Sequence, residues 1–279
     1  LDKAKDRDYA VGAFNATELA LVRSVVEQAE ESDSPAIIEA SAGEFEFVTK
    51  DFYKYVIERC KDSRVPFALH LDHGHTVEEC VRAIQAGFTS VMIDGSTLPY
   101  EENVALTKKV VEIAHAAGVT VEGEIGTIGA IGNSDEGGVT NITYTRPEDV
   151  VDFVEKTGVD CLAIAIGTAH GIYPKGYTPK LQLELLEEIK KIAPVPLVLH
   201  GGSNNPDDEI AKACKIGIAK VNISSDIKYA YFKKLDEVYR ETGGFVPAKV
   251  MGPAIVDTKA VVKNKMELFN SVGKASLYR

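Results

Sequence analysis

The chain has 279 residues, of which 45% are hydrophobic and 26% charged, a balance typical of a globular enzyme. Its net charge of -11, with no basic stripe, argues against binding to nucleic acid or an anionic membrane. A small phosphorylated substrate stays possible, because backbone amides can hold phosphate. No apolar stretch is long enough to span a bilayer, and no signal peptide is visible. Four scattered cysteines without a Cys-x-x-Cys motif predict reduced thiols and a cytoplasmic location, namely Cys60, Cys80, Cys161 and Cys214.

Strand-like and helix-like segments alternate along the whole chain. In order, the predicted elements are strand Ala10–Phe14, helix Glu18–Glu31, strand Ala36–Ala40, a helix near Asp51–Lys61, strand Phe67–Leu71, helix Thr76–Ala86, strand Ser90–Ile93, helix Tyr100–Ala117, strand Thr120–Ile125, helix Pro147–Thr157, strand Cys161–Ile166, helix Leu181–Ile192, strand Pro196–Leu199, helix Pro206–Cys214, strand Ile218–Ile223, helix Asp226–Glu241 and a last helix Ala254–Val272. Eight strand–helix units predict an α/β fold, a (β/α)8 TIM barrel in a single domain over residues 1–279. The extra C-terminal helix would cap the barrel or form a dimer contact. The alternative is a doubly wound sheet, which typically has a Gly-x-Gly-x-x-Gly turn after its first strand. The sequence has no such turn near its start.

One long irregular segment, residues 126–146, interrupts this alternation. It is rich in Gly, Asn and Asp. A loop of this length inside a compact fold is usually a functional lid or is disordered.

Polar residues close nearly every predicted strand, where a barrel gathers its functional groups. A single such residue is more often a helix cap, but a full set argues for a site. The set is Asn15, Ser41, Asp72, His73, Asp94, Glu124, His170, His200 and Asn222.

Three histidines end apolar runs and form a predicted metal site. His73, His170 and His200 suit zinc, since three neutral imidazoles leave one coordination position open for substrate. Residues two apart on a strand point to the same face, so His70 points the same way as Asp72. His70 is therefore a candidate to hydrogen-bond to the metal ligands rather than to bind the metal.

Glycine and serine follow the last two strands, where barrels commonly bind phosphate. His200-Gly201-Gly202-Ser203 and Asn222-Ile223-Ser224-Ser225 each lead into a predicted helix. Backbone amides and hydroxyls at a helix start form an anion site, although each segment alone would also serve as an ordinary cap.

Seven ordered segments together resemble the class II, zinc-dependent ketose-bisphosphate aldolases. They span nearly the whole chain and are Tyr9–Asn15, Leu69–Gly74, Val91–Ser96, Val121–Gly126, Ala165–Gly171, Leu199–Ser203 and Lys220–Asp226. The resemblance implies reversible cleavage of a ketose 1,6-bisphosphate, fructose first and tagatose next, by a homodimer or homotetramer. It also implies catalytic Zn²⁺ and a monovalent cation, Na⁺ or K⁺.

The same resemblance assigns a role to each candidate residue. Asp72 would exchange the proton of the C4 hydroxyl, and a glutamate on the long loop would handle the C1 proton. Glu136 is the preferred loop residue and Asp135 the second, since the usual Gly-Gly-x-Glu-Asp spelling is absent. Zinc would bind His73, His170 and His200, and a displaced or second ion would bind Asp94 and Glu124. The predicted substrate contacts are Asn15, Ser41, Gly171, Gly201, Gly202, Ser203, Asn222, Ile223, Ser224, Ser225 and, for the distal phosphate, Lys274.

Other functions stay open at this point. A nearby alternative is an aldolase for 6-phospho-5-dehydro-2-deoxygluconate. Different classes are a zinc hydrolase barrel, a Schiff-base aldolase using Lys220, and a non-catalytic sugar-phosphate binding protein.

Overall fold

Parallel strands close into a barrel in the computed structural model, which describes residues 1–131, 138–140, 142–174 and 179–278. Its strands are β1 (Val11–Asn15), β2 (Ala36–Ser41), β3 (Phe67–Gly74), β4 (Ser90–Ile93), β5 (Thr120–Ile125), β6 (Gly129–Ala130), β7 (Cys161–Ile164), β8 (Ala169–His170), β9 (Leu197–Leu199) and β10 (Ile218–Ile223). The barrel order is β1-β10-β9-β7-β5-β4-β3-β2, and β6 and β8 form a separate two-stranded sheet. The predicted TIM barrel is confirmed.

Helices surround this barrel. They are α1 (Asp2–Lys5), α2 (Leu19–Ser32), α3 (Ala42–Val48), α4 (Lys50–Lys61), α5 (Val77–Gln85), α6 (Tyr100–Ala116), α7 (Pro147–Thr157), α8 (Leu183–Ile192), α9 (Asp207–Ile216), α10 (Ser225–Thr242) and α11 (Pro247–Leu268), with a 3-10 turn at Lys274–Tyr278. Local chemistry fixes their starts: Thr76 and Glu79 form a capping box on α5, and Pro147 opens α7. In the described part of the chain, no helix is long and apolar enough to cross a membrane.

Alternation along the strands separates two layers of side chains. Outward residues such as Leu71 and Val221 join the large apolar core between sheet and helices. Inward residues are largely polar toward the carboxyl end, and all of the following are buried: Asn15, Glu39, Ser41, His70, Asp72, Glu122, Glu124, Lys220 and Asn222. Because successive inward positions on a strand are about 6.6 Å apart, these residues form stacked layers inside the barrel.

The short elements α1 and β6 were not predicted, and several other ends shift by one or two residues. The clearest further differences concern β3, the sixth predicted strand, α3 and α11. β3 runs to Gly74 instead of ending at Leu71, and the predicted sixth strand ends at Ile164, so His170 belongs to the small sheet. Helix α3 was not predicted. Helix α11 begins at Pro247 rather than Ala254, because Pro247 sits at its first position and Pro253 is accommodated inside the helix.

Candidate active site

Asp72 is the buried centre of the site, and two amides hold its carboxylate. Asn15 Nδ2 donates to Oδ2 and Asn222 Nδ2 donates to Oδ1, each at 3.0 Å. The two asparagines end β1 and β10, so both sides of the carboxylate are fixed by barrel strands. Burial raises the pKa of Asp72, but the nearby His73, His200 and Lys220 outweigh it and hold the pKa below its usual range.

A bulge in β3 explains how adjacent residues reach the same site. Neighbours in a regular strand point to opposite faces. Between Leu71 and Gly74 the register with β4 shifts, and His73 has a φ of 48°, in the left-handed region. Bulges re-aim side chains in this way beside active sites. Both Asp72 and His73 therefore contribute to the carboxyl end of the barrel.

The three predicted metal histidines converge. His73, His170 and His200 are buried, and one potential ligand nitrogen from each lies within 4.8 Å of the others. The His73 ring centroid is 4.8 Å from that of His170 and 4.6 Å from that of His200. Their sequence separations do not matter, since β3, β8 and the end of β9 bring them together.

Two of these rings hydrogen-bond to carboxylates through the nitrogen that points away from the other histidines, which leaves the inner nitrogens to face a cation. His73 Nδ1 lies 2.8 Å from Asp94 Oδ2, and His200 Nε2 lies 2.7 Å from Glu122 Oε1. Because a carboxylate accepts, each of these nitrogens carries the ring proton. In the neutral rings, lone pairs on His73 Nε2 and His200 Nδ1 then face each other at 2.9 Å. Such an arrangement requires a proton or a metal ion between the nitrogens.

A second group of possible ligands adjoins the first. His73, Asp94 and Glu124 offer three ligand atoms within 4.8 Å of one another. Glu124 Oε2 is buried without a hydrogen bond and lies 3.4 Å from His200 Nδ1. Burial and the charge of Asp94 raise the pKa of Glu124 well above its ordinary value. A nearby metal ion would lower the pKa of Glu124 again, so this carboxyl is also suited to bind a cation.

A narrow cleft beside Asp72 and His170 collects most of the predicted phosphate contacts. Its other lining residues are Gly171, Gly201, Ser203, Asn222, Ser224 and Ser225. The two loops are tied together, since the Asp226 amide donates to Ser203 Oγ at 3.3 Å and the Asn204 amide donates to Asp226 Oδ2 at 3.2 Å. Hydroxyls next to the start of α10 suit an anion.

Glycine is required at Gly171 by space and by backbone conformation. Its φ is 103°, and an added Cβ would lie 1.9 Å from the carbonyl oxygen of Ile131. The loop that carries the cleft can therefore close against residue 131 only without a side chain.

Four predicted substrate residues lie beside the cleft rather than in it. Asn15 is one of them, and it contacts Asp72, which lines the cleft. The Gly202 amide already donates to the Asn222 carbonyl, and the Ile223 side chain belongs to the apolar core. Ser41 is the register partner of Asp72, and its hydroxyl lies 3.5 Å from Glu44 Oε2. Glu136 and Asp135 lie outside the described residues.

Within this chain, Lys274 does not lie with the other predicted substrate residues. Its Nζ lies 5.8 Å from the ring centroid of Tyr9, which precedes β1. The next amide, that of Ala275, donates to the carbonyl of Asp33, which precedes β2. Lys274 is therefore at the amino-terminal face of the barrel, opposite the site. The sequence placed it by motif, and motif spacing does not say which face a terminal segment covers.

Two buried residues of the site were not assigned to it from the sequence. Glu122 contacts His200, and Lys220, considered only as a Schiff-base lysine, contacts Glu122 Oε2 at 2.9 Å. The signal was present: acidic residues two apart on β5 and a lysine within the apolar strand β10 must all face the barrel interior.

The family described as "Fructose-bisphosphate aldolase class-II" matches residues 1–274. The chain belongs to this family. It is accordingly a class II aldolase, a carbon–carbon lyase, and the expectation from the resemblance is confirmed. The described groups of His, Asp and Glu fit the metal dependence general in the family.

Relatives of this aldolase match over nearly their full length. It is 42% identical to a probable fructose-bisphosphate aldolase of Bacillus subtilis and 40% identical to a fructose-bisphosphate aldolase of Thermus caldophilus; each match covers 99% of this chain and 97% of the relative. The crystal structure of the YdjI aldolase from Escherichia coli K12 has a TM-score of 0.87 at 33% identity, covering 98% of this chain and 96% of that one.

Proposed function

We propose that the protein catalyses zinc-dependent, reversible aldol cleavage of a ketose 1,6-bisphosphate. Fructose 1,6-bisphosphate is the favoured substrate and tagatose 1,6-bisphosphate the next, with dihydroxyacetone phosphate and glyceraldehyde 3-phosphate as products. The observation that carries the proposal is one constellation: three convergent imidazoles, the buried carboxylate of Asp72, and a narrow cleft that touches both Asp72 and His170.

Zinc is proposed because three histidines leave one coordination position for substrate. When bound, it supplies Lewis-acid polarisation of the substrate carbonyl, which stabilises the charge left by the broken C3–C4 bond. Asp94 and Glu124 would hold a displaced or second ion. A Na⁺ or K⁺ ion near the phosphate loops completes the proposal, and comparing turnover in Na⁺, K⁺ and tetramethylammonium salts tests it.

Asp72 is the proposed base for cleavage. Its lowered pKa keeps the carboxylate ionised at neutral pH, ready to accept the C4 hydroxyl proton. In the reverse direction it returns that proton to the new C4 oxygen. Asn15 and Asn222 limit its rotation, so the accepting oxygen stays aligned with the substrate.

The cleft supports recognition of the ketose 1-phosphate end. Gly171 and Gly201 bring backbone without side chains to the cleft, and Ser203, Ser224 and Ser225 can donate hydroxyl hydrogen bonds to a phosphate. Because His170 itself lines the cleft, a three-carbon ketose phosphate held there would reach the histidines. Glu136, or Asp135 in its place, is the proposed acid–base group for the C1 proton.

The Schiff-base alternative is disfavoured by the surroundings of Lys220. Its Nζ contacts Glu122 at 2.9 Å and Glu39 at 3.5 Å inside the barrel. Burial lowers the pKa of Lys220, but these carboxylates outweigh it and the pKa is raised. A protonated amine has no lone pair for attack on a carbonyl.

A substrate panel tests the proposal. Purified protein is assayed with fructose 1,6-bisphosphate, tagatose 1,6-bisphosphate and 6-phospho-5-dehydro-2-deoxygluconate, before and after chelation and zinc restoration. We expect fructose 1,6-bisphosphate to give the highest kcat/KM, with activity lost in chelator and recovered with zinc. Four results would contradict the proposal. Two concern aldol cleavage: turnover of only the deoxygluconate compound, or activity that survives full chelation. The other two are ester hydrolysis without aldol cleavage, and phosphate binding without turnover in zinc-loaded protein.

We also propose a homodimer or homotetramer in the cytoplasm. Exposed apolar and aromatic side chains cluster on α10, α11 and their connection, namely Tyr229, Phe232, Tyr239, Phe245, Val246 and Val256. Such patches mark association surfaces. The four cysteines are free thiols, which fits a reducing compartment. Light scattering on a size-exclusion column tests the assembly, and a monomeric mass at micromolar concentration would contradict it.

A further inference from the structure

Glu122 connects the metal-binding histidines to a buried charged layer below them. It lies on β5 two residues before Glu124, with its side chain fully buried. One carboxylate oxygen, Oε1, accepts from His200 Nε2 at 2.7 Å. The other, Oε2, lies 2.9 Å from Lys220 Nζ. Glu122 does not offer a ligand atom to the three-histidine group, so its contact with that group runs through His200.

Lys220 fixes the orientation of this carboxylate. Its ammonium is 1% exposed and lies between Glu122 and Glu39, whose Oε2 is 3.5 Å away. Barrel strands β2, β5 and β10 carry the three residues, and a rotation of the Glu122 carboxylate would break the contact with Lys220. Oε1 is therefore held facing His200.

The contact determines which nitrogen of His200 is available to a metal ion. A neutral imidazole carries one proton, and a carboxylate at Nε2 keeps the proton there. The unprotonated Nδ1 is then the nitrogen that faces His73. Without the acceptor, the proton could move to Nδ1 and block coordination, or the ring could turn.

We propose that Glu122 and Lys220 are positioning residues for the metal site, which fix His200 as the Nε2-protonated tautomer with Nδ1 directed at the metal. The inference rests on the proposed function in that the ion is taken to be zinc. Carboxylates behind metal-bound histidines typically change metal affinity by 10–100-fold. Lys220 also fixes the orientation of the Glu122 carboxylate, because it contacts Oε2, the oxygen that does not bond to His200.

A purely structural role makes a different prediction, and a double substitution separates the two. Glu122→Leu/Lys220→Met removes one carboxylate and one ammonium, so the net charge of the layer, with Glu39 still present, is unchanged. Replacing a buried ion pair by apolar residues of similar volume is often tolerated. If the pair only balances charge, the double variant should bind zinc as the wild type does.

The experiment measures zinc affinity by competition with a chromophoric chelator, and the His200 tautomer by ¹⁵N NMR of the imidazoles in the metal-free full-length protein. We expect the double variant to melt at a lower temperature than the wild type, because buried Glu39 loses its cation. We also expect it to bind zinc 10–100-fold more weakly and to lose the single Nε2-protonated signal. Cys161→Ser is the matched control. Cys161 Sγ lies 3.5 Å from the same Oε2 that Lys220 contacts, and its replacement should change neither measurement.

Wild-type zinc affinity together with a wild-type Nε2 tautomer in the double variant would overturn the inference. If the double variant unfolds, Glu122→Gln provides the test, because Lys220 competes for its one oxygen and turns the amide NH₂ toward His200 Nε2. The same loss of the Nε2-protonated signal is then expected. Failure of the wild type to bind zinc would refute the proposed function instead, while the tautomer measurement still decides the inference.

Discussion

Replacing Asp72 by alanine should separate catalysis from metal binding. The carboxylate is the proposed base, and general acid–base groups contribute about 10²–10⁴-fold to rate. The expected loss in kcat is therefore about 3–5 kcal/mol of barrier. Zinc content should stay the same, because Asp72 Oδ1 is 3.8 Å from His73 Nε2 and belongs to neither ligand group that contains His73.

The same substitution has a calculable cost in stability. It leaves the side-chain amides of Asn15 and Asn222 without the acceptor that each now has. An unpaired buried donor costs about 1–3 kcal/mol, so the free energy of unfolding should fall by about 2 kcal/mol or more. Chemical denaturation measures this loss separately from activity.

Three measurements on one preparation test the reasoning: zinc per chain, kcat for fructose 1,6-bisphosphate cleavage, and calorimetric binding of dihydroxyacetone phosphate. Asn222→Ala serves as the graded control. It removes one hydrogen bond to a charged group, about 1.5–3 kcal/mol, so kcat should fall about 10–100-fold. If Asp72→Ala loses its zinc in parallel with its activity, Asp72 is a ligand, and the assignment as base is refuted.

Three further outcomes follow from the geometry. Gly171→Ala should raise KM for phosphorylated substrate at least tenfold and lower Tm, since its Cβ would meet a carbonyl at 1.9 Å. Gly43→Ala is the control: with nothing within 4 Å, it should leave the kinetics unchanged and should not lower Tm. Burial lowers the pKa of His73, but Asp72 and Asp94 raise it well above its ordinary value. Metal-free protein should therefore lose stability as pH rises through that raised pKa, while zinc affinity, measured by competition titration, should increase over the same range because zinc displaces the proton; a flat affinity would contradict this. Lys274→Ala should leave KM for fructose 1,6-bisphosphate unchanged, and a clear rise in KM would show that Lys274 reaches a substrate.

Most of the barrel was predictable because its strands are continuous apolar runs with polar ends. Ser90–Ile93 and Thr120–Ile125 match the predicted bounds, since each lies between clear turn signals. Helix α3 was missed because its glycine and paired aromatic residues give no apolar stripe. The sequence pattern places His170 at the end of the sixth strand, yet His170 belongs to a two-residue strand whose partner, Gly129–Ala130, lies distant in sequence.

The structure brings the predicted site residues together where the prediction depended only on strand direction. The three histidines, Asp94 and Glu124 are at carboxyl ends, and a parallel barrel brings such ends together whatever their spacing. Lys274 lies apart from these residues because it follows the last helix, where no strand direction constrains the chain. Sequence alone also gave no account of how adjacent Asp72 and His73 both reach the site, since the β3 bulge is a property of pairing with β4.

Layering inside the barrel explains why the chemistry needs two glutamates on one strand. Glu124 lies in the layer of the histidines, where a bound ion can compensate its charge. Glu122 lies one layer below and cannot be compensated in the same way, so it requires the cation that β10 supplies as Lys220. The distances support this division, because Lys220 contacts Glu122 and Glu39, while the ligand groups that contain His73 do not include Glu122. A buried lysine at this depth therefore makes the acidic layer tolerable without occupying the position that the metal and substrate must share.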